Sequence, residues 1–109
     1  MPEIYLGEFE QIVLLAILRL ADDAYAIPVR EEIEQRTGRA VSRGALYTAL
    51  ERLEAKGCLR SAQRDPSDDR GGRPRRYFTV TTRGLAALRA THTALRSLST
   101  GLEAILEQS

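Results

Sequence analysis

The sequence predicts a mainly α-helical domain with one small β-hairpin, on three observations. Several stretches repeat apolar residues at helical spacing. Two short segments, CLRSAQR (58–64) and RYFTVT (76–81), read instead as strands. Between them Pro66, Gly71, Gly72 and Pro74 break both kinds of element. A length of 109 residues suits one domain, which buries a core with little margin.

The first helix is expected over EFEQIVLLAILRLA (8–21). It is apolar around most of its circumference, so it needs cover on two sides. Asp22 and Asp23 stop it. A second helix is predicted to start at Pro28, whose missing N–H costs nothing in a first turn. Glu31 and Glu32 lie early in it, where the helix dipole favours acids. Ile27, Val29 and Ile33 are predicted to face inward, and Gly38 to end it. Ser42 is a good cap for a third helix, GALYTALERLEAKG, that stops at Gly57. Leu46, Ala49, Leu50 and Leu53 form its buried stripe. Arg43, Tyr47, Thr48 and Glu51 share another face, which Arg52 flanks. In the second strand Tyr77, Thr79 and Thr81 alternate with Phe78 and Val80. Thr81 or Thr82 caps a last helix.

Charge is unevenly placed along this order. Residues 1–35 carry eight acids and two arginines, whereas residues 60–83 carry seven arginines and three aspartates. One basic face is expected, a footprint for polyanions. Three helices, a hairpin with a long arginine-rich tip and one more helix form a winged helix-turn-helix arrangement with a C-terminal dimerisation helix. In that arrangement one helix enters the major groove and the tip follows the adjacent backbone of double-stranded DNA. Residues 1–82 form the winged domain, with the wing at about 64–76, and residues 83–109 the dimerisation helix. Candidate DNA contacts are Ser42, Arg43, Gly44, Tyr47, Thr48 and Arg52 on the third helix, and Arg70, Arg73, Arg75 and Arg76 on the hairpin. Guanidinium groups pair with phosphates in a fork geometry, and Gly71 and Gly72 admit a close backbone approach. A solvated arginine loop and a core tyrosine are the plainer readings of the cluster and of Tyr47. Ser42 also suits a purely capping role.

In the last helix Leu85, Leu88, His92, Leu95, Ser99, Leu102 and Leu106 step by three and four, a heptad seam. Packing on its own core is one reading. Burying both this seam and the two-sided first helix is simplest in a homodimer, each last helix on the partner's first helix. The predicted interface is Phe9, Val13 and Ile17 with Leu85, Leu88, His92, Leu95, Leu102 and Leu106. Gly101 kinks or ends the helix.

The chain resembles the PadR-type transcriptional regulators of the short class. The resemblance covers residues 5–20, 22–59 and 70–84. Tyr47, Leu50, the RLEAKG run (52–57), the RGGR…YF hairpin and T-x-x-G at Thr81–Gly84 carry it. Ala26 stands where members usually have Gly, and Arg43 where many have a small or apolar residue. The resemblance implies a homodimeric repressor on a pseudo-palindromic operator, often released by a small-molecule effector.

Other functions find little support. There is no nucleophile–base constellation and no Gly-rich phosphate loop after a strand, so an enzyme is not expected. One cysteine, Cys58, and one histidine, His92, cannot build a zinc site, and neither metal nor cofactor is expected. Cys58 reads as a small buried residue. No membrane partner is expected, because charge interrupts every candidate span. With no secretory signal or disulfide framework, a cytoplasmic location is the default. The competing function is a winged-helix module for protein or RNA contact without operator binding.

Overall fold

The computed structural model describes residues 4–64 and 74–108. Arg70, Arg73, Gly71 and Gly72 lie outside them. Helix α1 spans Glu8–Leu20, α2 Ala26–Thr37 and α3 Arg43–Ala55. Strands β1 (Leu59–Arg64) and β2 (Arg75–Val80) follow, then α4 (Thr82–Ser99) and a short α5 (Glu103–Leu106).

The core gathers one stripe from each helix. Val13, Leu14 and Ile17 of α1 meet Val29 and Ile33 of α2, and Leu46, Leu50 and Leu53 of α3. Each such side chain contributes roughly 1.5–3 kcal/mol by leaving water. Phe78 from β2 closes one side, and Ala87 and Leu88 from α4 another. The hairpin is antiparallel, from Leu59 opposite Val80 to Arg64 opposite Arg75. Its second strand also joins the helices directly, since the Phe78 amide donates to the Ala24 carbonyl at 2.8 Å.

Two expectations about inward faces need correction. Val13 and Ile17 are buried inside their own protomer and have no surface left for a partner. The outward stripe of α1 is Leu15 and Leu18, 47% and 43% exposed. Leu88 is likewise spent on its own core, Leu85 is half-buried, and Phe9 packs against its own core. Ile27 is 63% exposed rather than inward. The physical reason is a register change: α2 starts two residues early, at Ala26, so Pro28 is its third residue and Ile27 points away.

Joints between elements are tight. The Glu10 carboxylate accepts from the Gly7 amide at 2.8 Å and from Lys56 Nζ at 2.7 and 2.9 Å, tying the start of α1 to the end of α3. Burial opposes ionisation of Glu10, but the bonds from Lys56 and Gly7 outweigh it and hold its carboxyl below the usual range. Thr81 accepts from the Gly84 amide at 3.0 Å and donates to the Gly57 carbonyl at 2.6 Å. Gly84 has no alternative: a Cβ there would lie 2.3 Å from the Cys58 carbonyl oxygen. The Thr81–Gly84 spacing therefore lets α4 lie directly on the turn into β1. Burial pushes the Cys58 thiol up, against the opposing pull of Lys56 and Arg83.

The heptad seam is not one helix. α4 ends at Ser99, Gly101 takes φ 91°, and its amide is capped by the Glu103 carboxylate at 2.7 Å. Leu102 and Leu106 therefore belong to a separate segment. His92 is exposed. Leu95 and Leu98 are 56% and 76% exposed, with Leu102, Ile105 and Leu106 also uncovered.

Candidate nucleic-acid interface

The outer face of α3 follows from its inner one. With Leu46, Ala49, Leu50 and Leu53 turned to the core, the helical period leaves Arg43, Gly44, Tyr47, Thr48, Glu51 and Arg52 outside, and all six are exposed. The Ser42 hydroxyl accepts from the Ala45 amide at 3.1 Å, so this serine caps the helix that presents them.

That face divides along two flanks. Arg43 and Tyr47 line an open cleft of about 550 Å3 between α2, α3 and β2, floored by Leu46 and Phe78. The opposite wall holds Arg75 and Arg76, and Tyr25, Ile27 and Arg30 complete it. Four arginines from three elements thus edge one opening. Gly44, Thr48 and Arg52 line a second groove, facing Gly7, Phe9 and Glu10 at the start of α1.

Gly44 differs from Gly84 in one informative way. A Cβ on Gly44 would meet nothing within 4 Å. Glycine costs helix stability, and nothing among the described residues requires it here.

The hairpin arginines are held differently from one another. Arg76 pairs with Glu54 at 2.6 Å, donates to the Ser61 hydroxyl at 2.9 Å and lies over the Phe78 ring. Its guanidinium is committed to the protomer, which the sequence reading did not anticipate. Arg75 instead lies over the Tyr25 ring, 4.6 Å from its centre. Arg30 and Tyr25 were missed altogether. Their proximity to α3 comes from how α2 packs, which no local motif reports.

Among the described residues, no group of His, Cys, Asp or Glu is placed to hold a metal ion, and no helix is long and apolar enough to cross a membrane.

Residues 14–90 match the transcriptional regulator PadR-like family. The chain is 45% identical to a transcriptional regulator of Mycobacterium tuberculosis over 64 residues, 59% of this chain and 56% of that protein. The matched segment thus spans little more than half of that regulator. A PadR family transcriptional regulator from Eggerthella lenta is similar in structure, with a TM-score of 0.69 and 27% identity over 94% of this chain and 88% of that one. A PadR-like transcriptional regulator from Bacillus cereus shares the fold at a TM-score of 0.72, 21% identical over 93% of each chain.

Proposed function

This chain belongs to the PadR-like family of transcriptional regulators, a family of regulators rather than enzymes, and on that premise we propose that it binds operator DNA as a homodimeric repressor. The observation that carries the reading is the cleft that sets Arg43 and Tyr47 of α3 beside Arg75 of β2. An α-helix fits the major groove of B-DNA, and its first residues reach base edges. Arg43 is the first residue of α3. It pairs with guanine O6 and N7, and Tyr47 donates to a phosphate one turn along. Arg75, with Arg70 and Arg73, supplies phosphate contact from the wing. Gly44 leaves room for the DNA backbone or a base edge.

A dimer supplies the second half-site. Leu15 and Leu18 on α1, and Leu95, Leu98, Leu102, Ile105 and Leu106 at the C-terminal end, are apolar and uncovered. In the proposed dimer the α4–α5 segment of one protomer covers the outward stripe of the partner's α1. Two copies of α3 then face a pseudo-palindromic operator. Repression, release by a small molecule and a cytoplasmic setting complete the proposal on the strength of family membership.

The test is a salt titration on two duplexes: one selected by the protein from a random pool, and one of random sequence. Non-specific binding collapses as salt rises, because counterion release drives it. The proposal expects preference for the selected duplex to persist at physiological salt, at about 1,000-fold or more. Equal affinities at every salt concentration would contradict operator recognition.

A further inference from the structure

Arg64 and Arg75 close the described part of the hairpin, directly opposite one another. Like charges in that position destabilise a strand pair. Arg19, Arg30, Arg36, Arg39 and Arg76 each have a carboxylate partner. Like several other arginines among the described residues, Arg64 and Arg75 have none. Each lies instead on a phenol ring. The Arg64 Cζ is 4.1 Å from the centre of the Tyr77 ring, and the Arg75 Cζ is 4.6 Å from that of Tyr25. The two rings meet at 5.2 Å, tilted by 58°. Cation, ring, ring and cation form one continuous row.

The row is tied to the helices at several points. Tyr25 caps α2. Arg64 Nη1 donates to the Asp22 carbonyl at 3.1 Å. The Phe78 amide donates to the Ala24 carbonyl beside them. A ring face stabilises a cation without cancelling its charge, as a carboxylate would. Stacking also uses the flat face of guanidinium and leaves its N–H edge to hydrogen-bond. Tyr25 and Arg75 line the same cleft as Arg43 and Tyr47, so the row stands next to the helix that enters the groove.

We infer that Arg64 and Arg75 are two phosphate-contacting cations at the mouth of the wing, held in place by Tyr25 and Tyr77 as positioning residues. A short two-stranded hairpin is marginal alone; the row fixes its angle to α2 and α3. Arg64 thereby becomes a DNA contact on the first strand, and the two tyrosines act on DNA only through the arginines. This rests on the DNA-binding reading above.

The experiment measures affinity of the full chain for a labelled random-sequence duplex across a salt series. Arg64→Ala should reduce the slope of log K against log salt by about 0.9, one phosphate contact. Tyr77→Leu should lower both affinity and slope, while Tyr77→Phe, which keeps the ring face, should match the wild type. A purely structural role for Tyr77 would lower the melting temperature and leave the slope alone. Arg64 is exposed and lies outside the core, and a melting curve of Arg64→Ala checks that it folds, so its variant decides the matter even if Tyr77→Leu unfolds. A wild type that binds DNA with a slope unaltered by Arg64→Ala overturns the inference. A wild type that binds no duplex overturns the DNA-binding reading itself.

Discussion

The two halves of α4 live in different environments, although one helix spans both. In the first half Gly84, Ala87 and Leu88 are buried, and the helix lies against the turn at Cys58. Glycine stands at position 84 because the Cys58 backbone itself is its neighbour. In the second half Leu95 and Leu98 face solvent, and the segment after Gly101 exposes three more large apolar side chains. The first half is finished within one protomer. The second is left uncovered by the described residues, which is why the dimer proposal rests on these residues and not on the whole seam.

Breaking the first half should have the largest effect on the fold. Gly84→Ala drives a Cβ into the Cys58 carbonyl, which cannot move without shifting the β1 turn. A loss of about 3 kcal/mol in folding stability is expected, the upper end of ordinary overpacking. Urea unfolding monitored by circular dichroism measures it. A loss near zero would mean that α4 does not sit so closely on that turn.

Changing the second half should leave the fold alone. Leu95→Ala with Leu98→Ala removes exposed methyl groups, so the protomer should unfold as before. Each leucine that a partner buries contributes about 1.5 kcal/mol or more. Both protomers carry the change, so four leucines leave the interface and the dissociation constant should rise by about 10,000-fold, read by sedimentation at falling concentration. An unchanged dimer would place the interface elsewhere.

Gly44 sharpens the contrast with Gly84, because one glycine answers to the protomer and the other does not. Gly44→Ala should stabilise the fold by up to about 1 kcal/mol. The same change should weaken operator binding about tenfold, since the added methyl occupies the space proposed for DNA. A stabilised variant with undiminished binding would remove Gly44 from the interface.

Much of this was legible in the chain. α3 declares itself locally: a serine cap, a leucine stripe and Gly57 within a few turns. The Thr81 cap and the hairpin strands read the same way. The outward side of α1 did not, because a helix apolar all round gives periodicity nothing to discriminate. Val13 and Ile17 were thus assigned to a partner, while Leu15 and Leu18 were passed over. The other misses are non-local. Arg76 meets Glu54 across 22 residues, and the arginine–tyrosine row joins three separate segments. Spacing rules cannot see either one. The arginine-rich tip was read as one unit, yet Arg75 and Arg76, adjacent in sequence, have opposite fates because successive strand residues face opposite ways.

The smallest expected effect concerns the joint between α1 and α3. Glu10→Gln should cost about 1 kcal/mol at neutral pH, kept low by the partial exposure of Lys56. The native Glu10 carboxyl titrates below its unfolded value. Its contribution is therefore fully present above the ordinary carboxylate pKa of about 4.3 and fades as pH falls through the lower, folded value. The gap between wild type and variant should close over that acid range. A gap that stays constant from pH 7 to pH 3 would mean that the Lys56 pair adds nothing.

The central claim is that two copies of this chain present α3 and the wing to one duplex. Hydroxyl-radical footprinting on DNA selected by the protein addresses it most directly. The account predicts two protected half-sites related by a two-fold axis, their centres about 10 base pairs apart or a multiple of that. Both should fade together when Leu95 and Leu98 are replaced by alanine. A single protected half-site, or protection spread evenly along the duplex, would contradict it.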